Sequence, residues 1–233
     1  IDNQGRIFTA LSDYDADGDT SQSISVEVTD KGGLAYQENF SIQINAVNKT
    51  PTGINWTGTL SVVENSATNQ LVGQATAQDP DSADSHTYSL LNDAGGRFRI
   101  DAVTGQLYTN SSQFDYEATT AHAITVQVTD NSGASYSANQ SIAVSNVNEA
   151  PTSLVVSGSL LVSENAGANQ LVATVRGIDP ENLKMAYGLS GSDSQYFNID
   201  SSGNIRTLVS FNHEQKSTYS VNVTATDSGG LAF

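Results

Sequence analysis

Four aspartates alternate with other residues in "DYDADGDT": Asp13, Asp15, Asp17 and Asp19, with Gly18 between the last two. Carboxylates that close repel. At about 4 Å each like pair costs roughly 4 kcal/mol at an effective dielectric near 20. A hard dication with oxygen ligands, meaning calcium, removes that cost. The first seven positions fit an EF-hand loop, but the twelfth, which must be a bidentate Glu, is Ile24. The residues that follow, "SQSISVEVTD", alternate polar and apolar, which predicts a strand and not an exiting helix. The loop is not self-contained, and its remaining ligands must come from elsewhere in the chain.

The elements that would supply them show as an internal repeat. "LSVVENSATNQLVGQATAQDPD" from Leu60 returns as "LLVSENAGANQLVATVRGIDPE" from Leu160, 100 residues later. "NKTPTGI" at Asn48 returns as "NEAPTSL" at Asn148, and "IDAVTGQLYT" at Ile100 has partners at Ile1 and Ile199. "VEVTDKGGLAY", "VQVTDNSGASY" and "VTATDSGGLAF" put Asp30, Asp130 and Asp227 in register. Ile24, Val26 and Val28 alternate with polar residues, as do Ile124, Val126 and Val128, and Phe40, Ile42 and Ile44. Period-two alternation marks half-buried antiparallel strands, and turn signals such as "DKGG" and "DNSG" separate the runs. About seven short strands per unit fit a Greek-key sandwich.

The fold class expected is therefore all-β: tandem Greek-key sandwiches of about 100 residues, forming a rod. Residues 1–50 read as the C-terminal half of a first repeat, 51–150 as a complete second, and 151–233 as a third lacking its last strand. The ends are not expected to stand alone as exposed half-sandwiches.

Bulk properties exclude several functions. A net charge of −16 argues against binding nucleic acid or an anionic membrane. With no cysteine, disulfide and thiolate chemistry are absent. No apolar run approaches the ~20 residues of a membrane span. Abundant Ser, Thr, Asn, Gly and Asp with few Lys and Arg are the composition of a soluble, secreted β-protein. His86, His122 and His213 are scattered with no nucleophile motif nearby, and the paired carboxylates fall at repeat ends, where no enclosed cleft is expected; no enzyme is read. Trp56 could stack on a sugar, but the other repeats offer no aromatic partner at its register, and packing is the better reading.

The acidic positions sort by copy. The second repeat carries Glu64 in "VENS", Asp79 and Asp81 in "DPD", Asp115 and Glu117 in "DYE", Asp130 in "VTDN", and Asn148-Glu149 before Pro151. The third carries Glu164, Asp179, Glu181, Glu214 and Asp227, and the first has "DYD" where the second has "DYE". These motifs resemble cadherin repeats, in the divergent form found in large bacterial surface adhesins. In that family calcium is held by an x-E-x motif, a D-[RY]-E motif and a D-x-N-D-N linker from one repeat, with a D-x-D and an x-D-x motif from the next.

The resemblance implies two ligand sets. One takes Asp13, Asp15 and Asn48, then Asp79, Asp81 and Asp130; Asp17 and Asp19 could add to it. The other takes Glu64, Asp115, Glu117, Asn148 and Glu149, then Asp179, Glu181 and Asp227, with a backbone carbonyl from Asn182. The linkers "NAVNKTP" and "SNVNEAP" are shorter and less acidic than the family's, and Lys49 stands where Glu149 does. The implied function is a calcium-rigidified extension module of a cell-surface adhesin. The alternative is a polysaccharide-binding or homophilic recognition module of a secreted protein, accessory to a hydrolase. The expected partners are calcium ions, then another copy of the chain or cell-surface polysaccharide.

Overall fold

The computed structural model describes residues 1–2, 4–9, 21–45 and 47–233; Asp13, Asp15, Asp17 and Asp19 lie outside the described residues. The chain divides into two compact units, residues 1–114 with 121–144, and residues 115–120 with 145–233.

In the first unit, β1 (Ser21–Thr29) and β2 (Ala35–Gln43) form a two-stranded antiparallel sheet. Eight strands follow: β3 (Gly53–Thr57), β4 (Ser61–Val63), β5 (Leu71–Gln78), β6 (His86–Asn92), β7 (Phe98–Ile100), β8 (Gln106–Thr109), β9 (Ala121–Asp130) and β10 (Ser135–Ser145). They make two four-stranded sheets, in the orders β3-β5-β8-β7 and β4-β10-β9-β6. Crossovers between non-consecutive strands give the Greek-key connectivity expected. The alternation read in "AITVQV" is the burial pattern found: Ile124, Val126 and Val128 are fully buried. Tyr88 and Val128 pack with Ala75, and Trp56 and Tyr136 lie against that cluster. Trp56 is thus a packing residue. The hydroxyl of Tyr88 accepts a hydrogen bond from Ala77 N at 3.0 Å.

The second unit repeats the plan with β11 (Ser153–Ser157), β12 (Leu171–Ile178), β13 (Ala186–Ser190), β14 (Phe197–Ile199), β15 (Asn204–Thr207) and β16 (Asn222–Thr226). One sheet has the order β11-β12-β15-β14; the other is the pair β13-β16. Ala173, Val175, Met185, Ile205 and Ala225 are its buried apolar residues. Backbone detail recurs at the same offset. β5 and β12 each carry an irregularity in register, between Leu71 and Gly73 and between Leu171 and Ala173. Asn65 and Asn165, and Asn69 and Asn169, all have positive φ, a region Asn tolerates better than most residues. Gly203 sits at φ +79, where an added Cβ would overlap the Val175 carbonyl oxygen.

Two features differ from the sequence reading. β1 and β2 pair as expected, Ile24 opposite Phe40 and Val28 opposite Tyr36. Their apolar face is nevertheless open, with Val28 64% exposed, whereas the equivalent Val128 is covered. β9 and β10 are flanked by β6 and β4, and among the described residues β1 and β2 have no such neighbours. The other difference is local. "LSVVEN" contains β4, but its repeat "LLVSEN" contains no strand, because β4 is held by β10 and no equivalent of β10 pairs there.

Candidate metal centre

The first acidic set is assembled where β5, β9 and the segment before β3 end together in the first unit. Pro80 has no backbone N–H and so ends the run of β5 after Gln78. The chain turns back, with Asp79 Oδ1 accepting from Asp81 N at 2.9 Å and Asp84 N donating to Asp81 O at 3.0 Å. At the end of β9, Asp130 Oδ1 accepts from Ser132 N at 2.8 Å and Ala134 N at 2.9 Å, an ordinary aspartate turn. The preceding linker clamps both pieces. Asn48 Nδ2 donates to Asp130 Oδ2 at 3.0 Å, and Lys49 N donates to Asp81 Oδ2 at 2.5 Å. One carboxylate oxygen from each of Asp79, Asp84 and Asp130 then lies within 4.8 Å of the others. A cavity of about 380 Å³ beside them is lined by Asn48, Asp81, Asp84, Asn131 and Ser132, among others.

The second set, within the second unit, has the same scaffold. Asn148 Nδ2 donates to Asp227 Oδ2 at 2.9 Å, and Glu149 N donates to Glu181 Oε1 at 2.9 Å. Asp227 Oδ1 accepts from Leu231 N and Asp179 Oδ1 from Leu183 N, at 2.9 and 3.0 Å. Asn182 takes φ +55 in the turn after Glu181. In the 115–120 segment, Asp115 Oδ1 accepts from Ala118 N at 2.8 Å, and Glu117 Oε1 from Asn146 Nδ2 at 3.2 Å. Glu164 Oε2 accepts from His213 N at 3.1 Å. Glu64, in the first unit, is 2% exposed despite its charge.

The electrostatics follow from these contacts. The Asn48 amide, then the turn N–H groups, hold the Asp130 carboxyl below its ordinary pKa against the opposing effect of burial. For Asp227, burial is the largest single influence and raises the pKa. The Asn148 amide and the N–H groups of Leu231, Gly230 and Gly229 together outweigh it, and the net direction is down. Both groups are built to be anions. Four other oxygens are buried and accept no hydrogen bond: Asp81 Oδ1, Asp84 Oδ2, Asp179 Oδ2 and Glu181 Oε2. Buried carboxylate oxygens without donors are costly unless a cation lies against them. The donors are all oxygen, which suits calcium or magnesium and not zinc or copper. The residues present therefore fit a hard divalent cation.

The structure thus brings together Asn48, Asp79, Asp81 and Asp130, and separately Asn148, Glu149, Asp179, Glu181 and Asp227. Sequence reasoning missed Asp84. Its signal was a third carboxylate in "DPDSAD" that "DPENLK" replaces with Lys184.

The Cadherin domain family matches residues 58–147 and 159–232. This chain belongs to the cadherin family. Human Protocadherin-17 is 29% identical over 255 aligned residues, covering 98% of this chain and 22% of that protein. Human Protocadherin Fat 4 is 32% identical over 183 residues, covering 74% of this chain and 4% of that protein. The Drosophila melanogaster protein dachsous is 33% identical over 193 residues, 73% of this chain and 6% of its own length. The chain thus spans less than a quarter of these relatives. Mouse Cadherin-23 EC22-24 superposes with a TM-score of 0.69 at 22% identity, covering 94% of this chain and 74% of that one. The protocadherin GammaB4 extracellular domain superposes with a TM-score of 0.73 at 23% identity, covering 94% of this chain and 38% of that one. At such identities the two structures speak for the fold. As a cadherin segment the chain belongs to an adhesion family and is not an enzyme. Among the described residues no helix is long and apolar enough to cross a membrane.

Proposed function

We propose that this chain is a calcium-loaded extension segment of a large cell-surface adhesion protein. The observation that carries the reading is the duplicated scaffold: Asn48–Asp130 with Lys49 N–Asp81, and Asn148–Asp227 with Glu149 N–Glu181. At both, buried carboxylate oxygens are left without donors. Asn48, Asp79, Asp81, Asp84 and Asp130 would hold ions at the first site; Asn148, Glu149, Asp179, Glu181, Asn182 and Asp227 at the second. Asp13 and Asp15 join the first set only through their alignment with Asp115 and Glu117, and Glu64, Asp115 and Glu117 are assigned as ligands from the cadherin resemblance. Bound calcium supplies the positive charge that neutralises these oxygens. The chain's own part is to present them: the aspartate turns fix the carboxylates, and the linker Asn ties the strand-end Asp to the linker. With ions bound, each linker becomes a fixed joint; without them, carboxylate repulsion makes it a hinge.

The domain limits 1–50, 51–150 and 151–233 are part of this proposal, as is the likeness to the divergent repeats of bacterial adhesins. The adhesive contact itself is assigned to another copy of the chain. Polysaccharide is not favoured, because Trp56, the candidate platform, is engaged in packing.

The test is small-angle scattering with calorimetry. One millimolar calcium should lengthen the particle relative to EDTA with unchanged β-content, and Kd should fall on the order of 10⁻⁴ to 10⁻³ M. Asp227→Asn should weaken uptake at the second site only. Identical scattering profiles in calcium and EDTA would refute the joint.

A further inference from the structure

The two scaffolds share the linker-Asn and linker N–H hydrogen bonds to the acidic set but differ in the side chains that reach it. Lys49 Nζ lies 3.8 Å from Asp81 Oδ1, an oxygen that accepts no hydrogen bond. Position 149 is a glutamate, and the equivalent oxygen, Glu181 Oε2, is buried with no donor. His86 Nε2 adds a second protein contact at the first site, 2.9 Å from Asp79 Oδ2, whereas Asp179 Oδ2 is bare. The first set has Asp79, Asp81, Asp84 and Asp130 with Lys49; the second has Glu149, Asp179, Glu181 and Asp227 with Lys184. Each holds four carboxylates and one lysine. What differs is placement. Lys184 lines the cavity beside Asp179, but among the described residues it forms no ion pair there.

Resting on the calcium reading above, we propose that Lys49 is a tethered counter-cation. Its ammonium takes, at Asp81, the position that a bound cation takes at Glu181. The first site accordingly binds one calcium ion fewer than it otherwise would, and it keeps its carboxylates in place when calcium is withdrawn. A lysine on the same chain cannot be diluted away or chelated. It therefore sets a joint that is partly independent of the calcium concentration, beside one that follows it.

The experiment compares the full 233-residue chain with its Lys49→Glu, Lys49→Gln and Glu149→Lys variants. Calcium is counted by elemental analysis after equilibrium dialysis, affinity is measured by calorimetry, and thermal unfolding is followed in EDTA. Lys49 is 43% exposed, so its replacement leaves the core untouched, and far-UV circular dichroism checks the fold. Lys49→Glu should gain one ion, bind roughly fivefold more tightly or better, and melt lower in EDTA by roughly 2–4 °C. Lys49→Gln should share the lower melting point in EDTA, and Glu149→Lys should lose one ion. If wild type binds calcium but Lys49→Glu matches it in ion count, affinity and melting in EDTA, the tether is refuted while the calcium reading stands. If none of the four chains binds calcium, both are overturned.

Discussion

Val28 and Val128 provide an internal control for the fold. They occupy the same place in the repeat, Val28 opposite Tyr36 and Val128 opposite Tyr136. Val28 is 64% exposed and Val128 is fully buried against Ala75 and Tyr88. Val128→Ala removes the equivalent of two buried methylene groups, about 1.6 kcal/mol at roughly 0.8 kcal/mol each. The neighbours belong to two hydrogen-bonded sheets and collapse only partly, so a cavity cost brings the total to about 2–3 kcal/mol. Val28→Ala, already largely in water, should cost under about 0.5 kcal/mol. Urea unfolding of the 233-residue chain can be followed by fluorescence of Trp56, the only tryptophan, which packs on this same cluster. Val128→Ala should move the midpoint down by about 1–2 M for a slope near 1.5 kcal/mol/M, and Val28→Ala by less than about 0.4 M. Equal shifts would refute the reasoning, because the face of β1 and β2 would then be covered in solution.

Two further outcomes are expected from titratable groups whose pKa is lowered. Asp193, 5% exposed, is ion-paired with Lys216 and accepts from Ser220 N at 2.7 Å; Lys216, then Ser220, holds its carboxyl below the ordinary value. That stabilisation is present above the ordinary carboxylate pKa and is lost as pH falls through the lowered one, so Lys216→Met should shift acid unfolding, followed by circular dichroism, to higher pH. His122, packed against Phe98 and Phe114, has its pKa lowered by burial and then by the charge of Arg97. As pH falls below about 6.5 the unfolded chain takes the proton more readily and stability drops; His122→Phe should flatten that fall between pH 7.5 and 5.0 in EDTA, and an unchanged slope in urea midpoints would contradict it.

The strands and the repeat were legible because both are local patterns: alternation at 124, 126 and 128, and motifs returning at a fixed offset. Most of the acidic set was legible for the same reason. What was not legible depends on partners. Asp84 joins Asp79 and Asp130 only because its N–H closes a turn on the Asp81 carbonyl. "LLVSEN" lacks the strand that "LSVVEN" contains because strand formation needs a neighbour and not a sequence alone. The exposure of Val28 likewise reflects what lies across from it, which its own alternation cannot report.

The buried carboxylates say why such a segment would respond to calcium at all. Asp and Glu are almost never fully buried unless paired, yet Glu64, Asp130, Asp179 and Asp227 are each 6% exposed or less. The chain solves this internally for Asp130 and Asp227, whose oxygens collect an Asn amide and turn N–H groups. It does not solve it for Asp179 Oδ2 or Glu181 Oε2. Under the proposed reading, a bound cation is what stabilises those oxygens. Under the proposed reading, with Kd between about 10⁻⁴ and 10⁻³ M, one millimolar calcium adds only about 0.4–1.4 kcal/mol per ion. An increment that small leaves the sandwiches folded with or without the ion, since their cores carry them. It is large enough to decide the conformation of a short linker, where few other contacts compete. The calcium response belongs to the joints and not to the fold, which is why β-content should stay constant while the particle lengthens.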